Sequence, residues 1–159
     1  MAKHLPAFID TNVWLDYYLG RQGADDATSA LLAAISNEDA IVVTIPILKD
    51  TFFLLQAALK HRIREETGHV NETDAHAVNE IAWACIRDMA SMSCVIDTGV
   101  ADHLEACILQ GVCSDYEDAI LIAAAQRTQV DYIVTGDKGL LANGVVGALT
   151  PAEYASKHA

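Results

Sequence analysis

The sequence predicts an α/β protein, a three-layer α/β/α sandwich around a mainly parallel central sheet. Three observations carry that expectation. Short apolar runs, several rich in β-branched residues, alternate along the chain with segments of helical periodicity. No low-complexity linker or internal repeat interrupts the 159 residues, so residues 1–159 are expected to form a single domain with its own core. Two of the apolar runs close on an aspartate, Asp10 and Asp137. Open parallel sheets bind ligands outside the carboxyl ends of their strands, so both side chains would face one crevice.

Each element follows from its pattern. Residues 5–9 read as a first buried strand, and 13–19 continue at helical spacing until 20–23, with Gly20 and Gly23, break the helix. Residues 24–35 form a helix with Ala27, Leu31, Ala34 and Ile35 on one face. Residues 41–45 are a second, β-branched strand. Pro46 then stands in the first turn of a helix, where a missing N–H is tolerated. That helix is expected to run to Lys60 on a stripe of Leu48, Phe52, Leu55 and Leu59. Polar residues 64–71, around Gly68, predict a turn, and 71–92 a long helix carrying Val78, Ile81, Ala82, Cys85 and Met89. Residues 94–96 are a third strand and 100–109 another helix. Ser114 and Glu117 have capping-box spacing, which starts a helix through Ile120, Ala123, Ala124 and Arg127. Residues 132–135 are the fourth strand. After Asp137 the chain loosens through Gly139, Gly144 and Gly147, and Thr150-Pro151 caps a last short helix.

Composition narrows the function. A hydrophobic content of 52% and a mean hydropathy of +0.22 describe a globular chain with a strongly apolar interior or an apolar partner surface. The apolar stretches are too short and too interrupted to span a membrane. Residues 1–6 lack the apolar centre of a signal peptide, so a cytoplasmic protein is expected. The four cysteines have no Cys-x-x-Cys spacing, which argues against a zinc ribbon. Cys85 and Cys107 sit beside alanines in helical patterns and are expected to be small core residues. The net charge of −12 opposes a polyanionic partner unless acids are neutralised by cations. Two divalent ions would offset about four of those charges.

The acids carry the chemistry. Asp10 is followed by Thr11 and Asn12, which can orient a carboxylate at a strand end; it also suits the N-cap of the next helix. Thr135 shares a strand face with Asp137 and would put a hydroxyl beside it, although residues 136–139 are also turn chemistry. Asp118 lies in the first turn of a capped helix, where the dipole favours negative charge, with Asp115 one turn earlier on nearly the same side. Asp50 follows the second strand and can reach the same crevice, or be solvated. Crowded carboxylates raise one another's pKa unless a cation sits between them. A hard divalent ion, Mg²⁺ or Mn²⁺, fits oxygen donors and keeps waters for a phosphate substrate.

Three motifs, Phe8-Ile9-Asp10-Thr11-Asn12-Val13, Asp115-Tyr116-Glu117-Asp118-Ala119 and Tyr132-Ile133-Val134-Thr135-Gly136-Asp137-Lys138, give the chain a resemblance to the PIN domain. Within it, the chain resembles the VapC-like toxins of type II toxin–antitoxin systems, over nearly its whole length. The resemblance implies a metal-dependent ribonuclease with a quartet of catalytic acids: Asp10 first, Asp118 third and Asp137 fourth, these three holding Mg²⁺ or Mn²⁺. The second position usually holds glutamate. Here it holds Asp50, one methylene shorter, which suits a water-mediated role. Thr11, Asn12 and Thr135 match the supporting polar residues, and Asp115 stands beside the quartet. The same resemblance implies an RNA substrate, a small antitoxin partner and a homodimer.

The one local basic run, residues 60–64 with Arg62 and Arg64, is either a helix C-terminus stabilised by cations or, with Lys49 and Lys138, a guide for RNA. Trp14, Tyr17 and Tyr18 are expected in the core or an interface. A haloacid-dehalogenase-like phosphatase would need an acid where Asn12 stands. Two alternatives stay open: a catalytically weak PIN-type module that binds RNA or protein, favoured by Asp50 and the acidic surface, and a housekeeping RNA-processing nuclease.

Overall fold

The computed structural model describes residues 4–158, so part of the N-terminal segment considered above, residues 1–3, lies outside the described residues. Strand β1 (Ala7–Ile9) leads into helices α1 (Thr11–Leu19) and α2 (Ala24–Ser36). Then come β2 (Ile41–Thr44), α3 (Ile45–Thr67), α4 (Glu72–Met92), β3 (Cys94–Ile96), α5 (Val100–Leu109) and α6 (Tyr116–Thr128). The chain closes with β4 (Tyr132–Val134), α7 (Lys138–Leu141), β5 (Ala148–Leu149) and α8 (Pro151–Ser156).

All four strand pairings are parallel, in the order β3-β2-β1-β4-β5. Phe8 stands opposite Val42 on one side and Ile133 on the other. Helices cover both faces of such a sheet, so its central strands are apolar without alternation: every residue of β1 and β2 is buried. The α/β/α sandwich expected from the sequence is the fold observed.

Topology places the site. From β1 the chain moves outward through β2 to β3, then returns across β1 to add β4 and β5 on its other side. The switch lies between β1 and β4, where the two outgoing loops diverge and open a crevice at the strands' carboxyl ends. Asp10 ends one of those strands and Asp137 follows the other. The β1 end is fixed by packing, since fully buried Trp14 donates its indole N–H to Ile9 O at 3.2 Å.

Several boundaries differ from the sequence reading, each for a local reason. Helix α3 does not stop at Lys60 but continues to Thr67, and the turn begins only at Gly68, left-handed at φ +85° with its N–H on Arg64 O. Residues 64–67 are exposed, and charged residues are good helix formers when they only meet water. Ile45 belongs to α3 rather than β2, because the Thr44 side chain caps that helix by accepting from Ile47 N. Asp115, not Ser114, caps α6; Asp and Ser are equally good N-caps, and the shift of one residue frees Glu117. Strand β5, pairing Ile133 with Ala148, was hidden by the glycines around it. A Cβ at Gly147 would stand 2.8 Å from Asp131 O, so the close approach of these strands requires glycine there. Cys107 is exposed rather than in the core, and Cys85 only half-buried. Ile35 and Ile81 likewise point outward. Thr150 caps α8 through a capping box with Glu153, as expected.

Candidate active site

Asp10 is at once cap and site. Its backbone is extended, its Oδ1 accepts from Thr11 N at 2.7 Å, and α1 starts there. Its Oδ2 accepts from Asn12 Nδ2 and from the Thr135 hydroxyl, each at 2.7 Å. Thr135, fully buried just past β4, in turn accepts from Asn12 Nδ2 at 3.2 Å and from Asp137 N at 2.9 Å. Asn12 Oδ1 accepts from Gly136 N at 3.0 Å. Both ends of the Asn12 amide and every hydrogen-bonding capacity of the Thr135 hydroxyl are therefore committed to tying the β1 and β4 loops together.

Two other acids are fixed by the same device. Asp137 caps α7, its Oδ1 accepting from Leu140 N at 3.0 Å. Asp115 caps α6, its Oδ1 accepting from Asp118 N at 3.1 Å, and this sets Asp118 in the first turn. Gly139 separates two of the carboxylates. A Cβ there would lie 3.0 Å from Asp137 Oδ1 and 4.0 Å from Asp118 Oδ2.

The electrostatics record this crowding. Burial raises the Asp10 carboxyl above its ordinary value; the Thr135, Thr11 and Asn12 hydrogen bonds oppose the rise, and the Asp137 charge adds to it. Asp118 is pushed up to about 6, first by burial and then by Asp115, Asp137, Asp10 and Glu117. Burial also raises the nearby Cys113 thiol, and the charges of Asp118, Asp115 and Asp137 push it further.

A cleft of about 400 Å³ opens at this point. Asp10, Thr11, Asp50, Glu117 and Asp118 supply its polar lining, and Pro46, Ile47, Phe53, Leu54, Ile120 and Leu121 its apolar walls. Asp50 thus reaches the same cleft as Asp10 and Asp118, with Lys49 Nζ 3.2 Å from its Oδ1. Among the described residues, no three His, Cys, Asp or Glu side chains stand close enough to hold one ion as they are placed. The donors are nonetheless all oxygen, the chemistry a hard divalent cation takes.

The basic residues of the sequence reading do not gather here. Arg62 donates to Leu19 O at 2.8 Å and so serves the end of α1. Arg64 is exposed on the last turn of α3. Lys138 is exposed beside Asp137, and Lys49 is paired with Asp50. Sequence reasoning did not single out Glu117, Phe53 or Gly139 as part of this site. Glu117 was masked by its assumed capping role, and Gly139 by its turn context. Phe53 was open to detection: it lies three residues after Asp50, on the same helical face.

Solved structures share this architecture. The chain is similar to VapC20 of Mycobacterium tuberculosis, a Sarcin-Ricin loop cleaving toxin, with TM-score 0.60 and 14% identity over 88% of this chain and 96% of that one. It is similar to VapBC2 of Rickettsia felis bound to a DNA fragment from their promoter, with TM-score 0.63 and 12% identity over 92% and 98%. A toxin–antitoxin complex from Klebsiella pneumoniae gives TM-score 0.56 and 19% identity over 92% and 98%. At such identities the likeness is one of fold. No curated protein matches the chain. The PIN domain family model matches residues 6–139, most of the chain, and the protein therefore belongs to the PIN domain family.

Proposed function

We propose that the chain is a Mg²⁺- or Mn²⁺-dependent endoribonuclease that hydrolyses RNA phosphodiester bonds at Asp10, Asp50, Asp118 and Asp137. The observation that carries this reading is the juxtaposition of Asp10, Asp118 and Asp137 at the β1/β4 switch: the Thr135 hydroxyl bonds to both Asp10 Oδ2 and Asp137 N, and a Cβ on Gly139 would lie 3.0 Å from Asp137 Oδ1 and 4.0 Å from Asp118 Oδ2. Family membership supports it.

Asp10, Asp118 and Asp137 would hold the metal, with Thr11, Asn12, Asp115 and Thr135 supporting them. A divalent ion bound there supplies Lewis acidity at the phosphate and lowers the pKa of a bound water. The chain's own residues do the rest. Thr135 and Asn12 hold Asp10 Oδ2 in one orientation, so the carboxylate need not reorganise when charge develops. Asp118, whose carboxyl is raised by burial and by the neighbouring acids, is the group whose ionised form a bound cation would favour most. Asp50, paired with Lys49, lines the same cleft and would orient a water there.

We further assign it as the toxin of a toxin–antitoxin pair, a cytoplasmic homodimer blocked by a small antitoxin. The structures from R. felis and K. pneumoniae support a partner of that kind, and VapC20 supports an RNA-cleaving role. No helix among the described residues is long and apolar enough to cross a membrane. A second reading, a catalytically weak binding module, draws on the Lys49–Asp50 pair and on the spread of the acids. A processing nuclease would share the chemistry but not the growth arrest.

The test is incubation of purified protein with a panel of RNAs in Mn²⁺ or Mg²⁺, against EDTA and Asp10→Asn. We expect cleavage lost in both controls; cleavage that survives either one rules the reading out.

A further inference from the structure

Glu117 stands in the acid cleft without a structural task. On α6, Glu117 lies four residues and Asp118 three residues before Leu121, so all three share the face that lines the cleft. The α3 side supplies Asp50, and Asp10 and Thr11 complete the polar lining. The cleft's own carboxylates are therefore Asp10, Asp50, Glu117 and Asp118, while Gly139 separates Asp137 from Asp118.

Helix capping does not use Glu117. In α4 and α8 the acid three residues past the cap bonds back to the backbone: Asp74 Oδ2 accepts from Asn71 N at 3.1 Å, and Glu153 Oε2 from Thr150 N at 2.8 Å. In α6 the cap is Asp115, so the third position falls to Asp118 and Glu117 stands second. Among the described residues Glu117 enters no ion pair either, whereas Asp50 holds Lys49 Nζ at 3.2 Å.

We propose that Glu117 is a catalytic carboxylate of this site, which holds the divalent metal from the α6 side together with Asp10 and Asp118, while Asp50 stays outside the metal's ligands. The inference rests on the metal-dependent reading above and adds a residue to it. Mobility argues for Glu117. As placed, no three acids among the described residues can hold one ion, so a side chain must move to close the site. Asp10 is not that side chain, because hydrogen bonds from Thr11, Asn12 and Thr135 fix it. Glu117 is exposed and carries two methylenes before its carboxylate. Charge argues the same way. Burial raises the Asp118 carboxyl first, and Glu117 is among the acids that raise it further, so a cation between them relieves the repulsion. The helix dipole also favours an acid in a first turn, but it asks nothing of the face on which that acid stands.

The test is calorimetric titration of Mn²⁺ at pH 7 into wild type, Glu117→Gln and Asp50→Asn, with metal-free melting of each. Glu117→Gln should weaken Mn²⁺ binding at least about tenfold, as expected for a lost ligand. Asp50→Asn should change the affinity by less than about threefold, as a partly exposed, paired charge would. Metal-free Glu117→Gln should melt at or above the wild-type temperature, because it removes a negative charge beside Asp118. RNA cleavage by Glu117→Gln should fall at limiting Mn²⁺ and recover as Mn²⁺ is raised.

The outcomes are separable. Equal Mn²⁺ affinity in wild type and Glu117→Gln overturns the assignment and leaves the nuclease reading in place; lower metal-free melting of that variant would then mark Glu117 as a dipole acid. Equal weakening by Asp50→Asn overturns the division of roles between the two acids. Weaker binding in Glu117→Gln, with no RNA cleaved by wild type, keeps Glu117 as a ligand and removes the nuclease reading. A wild type that binds no Mn²⁺ removes both.

Discussion

The Thr135 hydroxyl donates to Asp10 Oδ2 at 2.7 Å across 125 positions of sequence, joining the ends of the two strands that flank the topological switch. The same oxygen accepts from Asp137 N at 2.9 Å, so one buried hydroxyl sets the first and last acids of the site relative to each other.

Thr135→Val keeps the shape and removes that hydroxyl. It leaves Asp137 N and one proton of Asn12 without their acceptor and takes one of the three donors from Asp10, at a fully buried position. We expect a loss of about 1–3 kcal/mol in urea unfolding and a fall in cleavage rate beyond what the stability change explains. Thr135→Ser should retain most of both.

Asp118 gives a pH signature. Its folded pKa of about 6 stands above the ordinary 3.8, so between those values the folded chain binds more protons than the unfolded one. Its contribution to stability is therefore full below about pH 4 and is lost as pH rises through about 6. Without added metal, Asp118→Asn should melt near wild type at pH 4 and increasingly above it toward pH 7, followed by scanning calorimetry. Equal melting at both pH values would count against the shift.

Gly139→Ala tests the gap between Asp137 and Asp118. The new methyl would press on Asp137 Oδ1 at 3.0 Å in the metal-free protein. Gly139 lies within α7, where alanine is the better helix former by about 1 kcal/mol. Melting should change little, while the Mn²⁺-induced rise in Tm shrinks. An undiminished rise would mean that the ion does not need the Asp137–Asp118 gap.

Away from the site, Tyr154→Phe should cost about 1–3 kcal/mol in thermal or urea unfolding. The Tyr154 hydroxyl lies 3.0 Å from both Leu5 O and Asp39 Oδ2 and donates its one proton to one or the other, and Asp39 Oδ1 accepts from Leu5 N at 2.7 Å. All of this is buried and ties α8 to the start of β1. RNA cleavage at a temperature where both proteins are folded should be unaffected.

Much of the site was legible because it sits where strands end. An apolar run closed by Asp10 or by Thr135-Gly136-Asp137 states both strand and carboxyl edge, and parallel topology brings the two edges together. Asp118 was legible from its place in a capped first turn, although the cap proved to be Asp115. What could not be read is what depends on neighbours distant in sequence. Arg62 reads as a free cation until the fold puts Leu19 O within reach. The polar end of α3 reads as a turn because nothing local shows that it remains helical beyond the core. Strand β5 has two residues, too few for any periodicity, and exists because β4 offers it an edge.

The central claim is that Asp10, Asp118 and Asp137 together bind a divalent metal. The most direct measurement is calorimetric titration of Mn²⁺ at pH 7 into the wild-type protein, Asp10→Asn and Asp118→Asn, each verified as folded. We expect saturable binding by the wild type and at least a tenfold weaker constant in each variant, consistent with the loss of a charged ligand. Equal affinity in all three proteins would place the metal elsewhere and contradict the assignment.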